Sequence, residues 1–430
     1  MNKEILRLAI PNILSNISTP LLSTVDTVLM GQLSKEYLGA IGIGAMIFNF
    51  IYWNFGFLRM GTTGLTAQAY GKRSDSDVIH TLGRALLLGG LLAAFLLVLQ
   101  KPIATIGIDL MNVSGNQQDL VARYFFVRIW AAPASLALYA FFGWFFGMQN
   151  AVIPLLLTIF INVVNIVLSY YLVRVLGWSV EGVALGTVIA QYAGLLLALL
   201  LFLWKYRSYF HAFRRKALLQ WQELGRFLLI NRDIFLRTVF LTLAFGFIYS
   251  RSAVSGELIL AVNVILLQFL NWMSYGVDGF AFAAESLVGK YAGAQDESGT
   301  RKAIRYSFGW GMGLALLFSV CYWVFGATLF GFFTESGEVI ETGLHYLWWM
   351  ILLPIFGSPC YIWDGIYIGL TASKAMRNAM FWSFLIFLIS YWLLQGTLGN
   401  HGLWLALLVF LTVRGITQWG LYRKYGLEIS

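Results

Sequence analysis

Twelve long apolar stretches, bounded by short clusters of charged residues, glycine or asparagine, fill this chain from end to end. A helix crossing bilayer hydrocarbon needs about 20 mostly apolar residues, and lipid offers no partner for an unbonded backbone group, so each stretch predicts a membrane-spanning α-helix. The spans fall at 5–31, 38–66, 82–108, 120–147, 152–174, 182–204, 226–250, 257–285, 303–333, 340–369, 376–397 and 402–422. Six lie in each half.

The halves echo one another. Residues 66–73, Thr-Ala-Gln-Ala-Tyr-Gly-Lys-Arg, return in altered form at 288–295 as Val-Gly-Lys-Tyr-Ala-Gly-Ala-Gln, and a shift of 222 residues carries Gly71 to Gly293, Tyr124 to Tyr346, Gly143 to Gly365 and Gly147 to Gly369. A duplication at half the length of so apolar a chain marks a transporter built from two homologous halves. Each half has an even number of spans, so both enter the membrane in the same sense, and the repeat axis runs along the membrane normal with a cavity where the halves face each other. The organisation expected is an N-terminal six-helix lobe at 1–204, a cytoplasmic basic linker at 205–225 and a C-terminal six-helix lobe at 226–430.

Composition agrees. With 59% hydrophobic and 11% charged residues, and a mean hydropathy of +0.74, the chain has too little polar surface to face water. Cys321 and Cys360 lie inside apolar runs and define no disulfide framework. The net charge of +9 comes from basic residues between apolar segments, which favours juxtamembrane anchoring over nucleic acid. Lys3 and Arg7 precede an apolar run as in a signal peptide, but Pro11, Pro20 and Asp26 interrupt it and no small-residue cleavage site follows, so it reads as an uncleaved first span. Alternating the loops between two sides puts nineteen basic residues on one, from Lys3 through Arg214, Arg215 and Lys216 to Lys424, against Lys35, Lys101, Arg174 and Arg251 on the other. The basic side is the cytoplasm, which places both termini and the linker there, in a cell (inner) membrane. Basic and aromatic residues alternate from Lys205 to Lys216, as in an interfacial segment on an anionic leaflet.

Several chemistries are excluded. Gly71-Lys72 is followed by Arg73 without the glycine spacing of a phosphate-binding loop, so ATP does not drive transport on this chain. His80, His211, His345 and His401 are scattered, and no Cys/His cluster exists, so neither a metal nor a cofactor is expected. No nucleophile elbow marks a hydrolase, and Val277-Asp278 and Trp363-Asp364 lack the contexts of an intramembrane aspartyl protease. An enzyme is not expected.

An ionised group at bilayer depth costs several kcal/mol unless paired or hydrated, so each one is a candidate for function. Asp26 has no basic neighbour in its own span, and an acid so placed can take and release a proton; it is assigned ion coupling. Arg59, Arg237 and Asp278 are assigned to an inner gate, with Asp278 pairing either Arg59 across the halves or Arg237 within its own. Arg232 beside Asp233 reads as a structural pair. Asn162 and Asn165, one turn apart, with Gln191, Asn263, Gln268 and Asp364 are the candidate substrate-binding residues, against the alternative that each amide is a cross-helix hydrogen bond.

Pro11 with Pro20-Leu-Leu-Ser-Thr-Val-Asp26-Thr-Val-Leu-Met-Gly31, and Phe57-Leu-Arg-Met-Gly-Thr-Thr-Gly-Leu-Thr-Ala-Gln-Ala-Tyr-Gly71, resemble the multidrug and toxic compound extrusion (MATE) transporters. Asn231-Arg-Asp-Ile-Phe-Leu-Arg237-Thr, Asp278-Gly-Phe-Ala-Phe-Ala-Ala-Glu285 and Trp363-Asp364-Gly-Ile-Tyr-Ile-Gly369 are similar to the DinF branch in particular. The resemblance covers essentially the whole chain. It implies an all-α polytopic membrane protein with twelve transmembrane helices, two six-helix lobes forming a V-shaped central cavity, alternating access, and antiport of amphipathic, often cationic compounds against an inward proton or sodium gradient. It implies for Asp26 the family's first-helix role in cation coupling and drug release, and for Asp364 an acidic position used for sodium in another branch. That branch also relies on an acid deep in the seventh helix, where residues 238–249 have none, so protons are the expected coupling ion and sodium the second. The position of a further aspartate in some relatives falls at Asn162 or Asn165. Small amphipathic substrates, protons and membrane lipid are the expected partners, nucleic acid is not, and a monomer is expected. Alternatives are export of an organic anion such as citrate, which Arg59 and Arg237 favour; a lipid-linked precursor flippase; and a membrane enzyme acting on lipid.

Overall fold

The computed structural model describes residues 1–31, 35–111, 113 and 115–426, with the side chains of residues 19–31, 35, 36 and 116 left aside. Every regular element among them is helical. The chain divides into two compact units, Leu14–Phe227 and Met1–Ile13 with Leu228–Ser430, called here the N-terminal and C-terminal units. α1 (Asn2–Gly31) is therefore shared: its first thirteen residues group with the second half of the chain, where the sequence reading drew a lobe from 1 to 204.

The N-terminal unit continues through α2 (Lys35–Phe55), α3 (Phe57–Gly71), α4 (Asp75–Val98), α5 (Gln100–Leu110), α6 (Gly115–Arg128), α7 (Ala132–Gly147), α8 (Val152–Tyr170), α9 (Val180–Tyr206) and α10 (Arg215–Leu218). The C-terminal unit holds most of α11 (Trp221–Val254), then α12 (Glu257–Gly293), α13 (Glu297–Gly331), α14 (Gly337–Gly369), α15 (Ser373–Leu398) and α16 (Asn400–Tyr425). Among the described residues eleven helical segments are long and apolar enough to cross a membrane. With α1 they account for the twelve spans read from the sequence. The halves differ in continuity: α2 and α3 are interrupted at Gly56 and α6 and α7 by a 3₁₀ turn at Ile129–Ala131 before Pro133, whereas α12 and α14 run unbroken, α14 through Pro354 and Pro359. Apolar side chains such as Leu91, Leu196, Trp323 and Leu393 stand exposed, as they must where lipid replaces water.

The duplication is written into the backbone. Among the described residues four that are not glycine have positive φ, and the 222-residue shift pairs them, Arg73 (55°) with Gln295 (56°) and Gln149 (60°) with Thr371 (55°). Helix caps pair likewise: the Ser74 side chain accepts from the Asp77 amide, and the Asp296 side chain from the Gly299 amide. In α7, a Cβ at Gly143 would lie 2.3 Å from the Arg59 carbonyl oxygen of α3; in α14, a Cβ at Gly365 would lie 2.2 Å from the Ala281 carbonyl oxygen of α12. One turn on, Gly147 and Gly369 repeat the approach against Ala67 and Gly289. Bare glycine faces let these backbones close together, a common way to pack helices in lipid.

The stretch expected as a linker is mostly helical and fixed to its own unit. α9 runs into a 3₁₀ turn at Arg207–Ala212, then α10 caps itself on α4. Arg84 donates to the carbonyl oxygens of Ala217 (2.9 Å) and Leu218 (3.2 Å), and His80 Nε2 meets the Arg214 backbone at 3.0 Å. Arg84 is buried because it satisfies the last carbonyls of that short helix.

Candidate functional site

The structure gathers charge at one place in the C-terminal unit. Asp364, late in α14, is 5% exposed. Arg237 of α11 and Arg414 of α16 both donate to its Oδ2, and Gln418 Nε2 donates to its Oδ1 at 2.7 Å. Gly365 lets α14 lie against α12, and the Tyr367 hydroxyl bonds the Gln418 carbonyl oxygen at 2.7 Å, which fixes α16 in register. Asp278 of α12 is half-buried and an electrostatic neighbour of Arg237. Asp364 thus sits in the grip of two guanidinium groups rather than open to a ligand cation. Arg414 and Gln418 had been passed over in the sequence, although Arg414 inside an apolar span with Gln418 four residues on, one helical face, is the signature of an intramembrane polar site.

Other predicted residues are placed differently. Asn263 is saturated: its Nδ2 donates to Ser252 Oγ and Asn400 Oδ1 (2.8 Å each), and its Oδ1 accepts from Asn400 Nδ2 (3.0 Å) and Trp404 Nε1 (2.9 Å). With both donors and both acceptor positions taken it is a helix tie with nothing left for substrate. Asn165 is buried and donates to Thr187 Oγ1 of α9 at 2.8 Å, while half-buried Asn162 donates to the Ser18 carbonyl oxygen of α1 at 3.3 Å, so these neighbours serve two different helix contacts. Gln191 and Gln268 are half-buried. Arg59 lies in the N-terminal unit with its guanidinium 5.7 Å from the Phe146 ring centroid. Arg128, near the end of α6, is likewise spread over the rings of Phe48 and Tyr52 at 5.4 and 5.9 Å. Asp26 lies in the part of α1 whose side chains fall outside the described residues. Asp233 is paired as read from sequence with Arg232 (3.0 Å), and also with Arg377 of α15 (2.6 Å).

Comparison with known proteins agrees with this architecture. The MatE family model matches residues 11–171 and 235–393, one segment in each half. The chain is 39% identical over 428 residues to the DNA damage-inducible protein F of Escherichia coli K12, covering 99% of this chain and 92% of that protein. It is 27% identical to the chloroplastic protein DETOXIFICATION 44 of Arabidopsis thaliana, over 98% of this chain and 82% of the relative. Among solved structures, an outward-facing multidrug resistance MATE family transporter superposes with a TM-score of 0.85 at 20% identity, over 100% of this chain and 97% of its own. Two repeated six-span halves, glycine-packed at matching positions and matched by one family model in each, make this chain a transporter of the multidrug and toxic compound extrusion (MATE) family, in its DinF branch.

Proposed function

We propose that the protein exports amphipathic, often cationic organic compounds in exchange for protons, by alternating access, with Asp26 as the coupling acid. The observation that carries the choice of ion is the neutralisation of Asp364. A carboxylate engaged by Arg237, Arg414 and Gln418 has its charge opposed by two guanidinium groups and most of its acceptor positions occupied, so the tenth-span acid is a poor sodium ligand and the first-span acid becomes the coupling group. Protonation of Asp26 favours drug release and deprotonation favours rebinding, so proton and drug compete through one carboxylate. Both termini are assigned to the cytoplasm of a cell membrane; cysteines at positions 214 and 374 should label only from that side, and one at 101 only from outside.

Purified protein in proteoliposomes, given a cationic dye and either a pH or a sodium gradient, tests this reading. The pH gradient should drive dye movement and Asp26→Asn should abolish it in folded protein; efflux that persists in the variant, or that follows sodium alone, refutes the assignment. Export of an organic anion is the second reading. It is favoured by Arg59, Arg128, Arg237 and Arg414, four guanidinium groups within the spanning helices.

A further inference from the structure

The cluster around Asp364 carries more donors than acceptors. Arg237 Nε, Arg414 Nε and Arg414 Nη1 are buried, and no acceptor among the described residues meets them. Arg414 is 0% and Arg237 7% exposed, so bulk water does not serve these groups. A guanidinium does not lose its proton in a protein, which means the surplus cannot be titrated away; it needs an acceptor. A charged N–H left without one costs more than a neutral donor would.

Inside the triad two permanent positive charges meet one carboxylate, and the charge of Asp278, half-buried on α12, acts on Arg237 electrostatically. The Tyr361 ring lies 5.6 Å from Arg414 Cζ and covers one side of the guanidinium without offering it a carboxylate or carbonyl oxygen.

We propose that the C-terminal unit binds a small oxyanion, a carboxylate or phosphate group, on Arg237 and Arg414 beside Asp364. Such a group supplies several strong acceptor atoms and a negative charge together, whereas a trapped water supplies acceptors alone. The oxyanion is either the carboxylate of a transported organic anion or a resident inorganic ion. Its cargo form rests on the organic-anion reading above and gives that reading a site, and neither form depends on dye export.

The test uses the full-length protein in detergent, titrated with sodium acetate or sodium phosphate at an ionic strength held constant with sodium chloride, with the unfolding temperature as readout. A ligand bound only by the folded state raises that temperature saturably. Arg414→Gln keeps the Arg237–Asp364 pair and should weaken the apparent affinity about tenfold or more, as loss of charge-assisted hydrogen bonds does. Arg414→Lys should weaken it less. Asp278→Asn, which removes a nearby negative charge, should tighten it. Each variant is compared with itself without anion, so a general loss of stability cannot mimic these opposed shifts. Counterflow of labelled citrate in proteoliposomes separates the two sources: exchange lost in Arg414→Gln makes the anion cargo, and saturable binding without exchange makes it resident, both of which uphold the site. Absence of any saturable shift with either anion, or shifts unaltered in all three variants, overturns the proposal and leaves water as the partner of the stranded donors. Loss of pH-driven dye efflux in a preparation that still binds anion would sink only the export reading above.

Discussion

The two units share their backbone contacts and differ in what they bury. Gly143 and Gly147 press α7 onto α3 as Gly365 and Gly369 press α14 onto α12, and the positive-φ turns at 73 and 149 recur at 295 and 371. Shifted back by 222 residues, Asp364 falls on Phe142 and Arg237 on Ser15. The N-terminal unit fills those places with an aromatic ring and with a hydroxyl that bonds Thr158 at 3.0 Å, and it buries the neutral pair Asn165–Thr187 between α8 and α9. After duplication, a glycine facing a carbonyl oxygen at under 2.5 Å has no alternative residue, because nothing else fits. A polar interior is freer to diverge, provided that donors, acceptors and charges still balance within each unit.

The sharpest way to break this comparison is to strip the charged unit of its centre. Asp364→Leu leaves two buried guanidinium groups facing each other and should cost about 3–5 kcal/mol, seen as loss of monodisperse protein or a large fall in unfolding temperature. Adding Arg237→Met and Arg414→Met should recover most of that loss; no recovery would mean the cluster is not a self-contained electrostatic unit.

Gly365→Ala and Gly143→Ala test the shared part. Each new methyl meets a main-chain oxygen that cannot turn aside, so both variants should lose about 1–3 kcal/mol. Gly313→Ala, with nothing within 4 Å of its Cβ, should lose none. Unequal penalties at 143 and 365, measured by thermal unfolding, would break the structural equivalence.

A smaller contrast separates the neutral ties. Asn165→Leu removes one hydrogen bond while Thr187 keeps its bond to the Val183 carbonyl oxygen, so the loss should be about 1 kcal/mol. Asn263→Leu strands Asn400 and Trp404 together and should cost more, about 1–3 kcal/mol.

The smallest effect concerns the start of α1, where Glu4 meets Lys290 Nζ at 3.3 Å and the Tyr291 hydroxyl at 3.2 Å. Partial burial disfavours its carboxylate, but the hydrogen bond and charge of Lys290, with those of the N-terminal amine, outweigh this and hold the carboxyl below its ordinary value of 4.5. A lowered folded-state value stabilises the protein above the unfolded value, and that contribution fades as pH falls through the folded one. Wild type should therefore lose a little more stability than Glu4→Gln below about pH 4.5, the two curves running parallel above it. A constant gap at all pH values would show the contact to be uncharged.

Much of the fold was legible beforehand because bilayer constraints are local. Span length is a property of consecutive residues, and the 222-residue glycine repeat displays the duplication in the sequence itself. The amides misled for the opposite reason. Asn162 and Asn165 share a helical face in sequence, yet one bonds α1 and the other α9, and Asn263 looked available until Asn400 and Trp404 filled its valences. Arg414 escaped notice because it stands only nine residues before the basic end at Arg423.

The sequence by itself determined a twelve-span, duplicated transporter with acids and arginines inside its apolar helices, since hydrophobic length and repeat spacing act along the chain. Which groups neutralise Asp364 was decided only by tertiary structure. The partners of Asp364 lie 127, 50 and 54 residues away, on α11 and α16. Helix packing alone brings such distant groups within hydrogen-bond range, and in a medium without water that proximity settles whether an acid is open to a ligand or already satisfied.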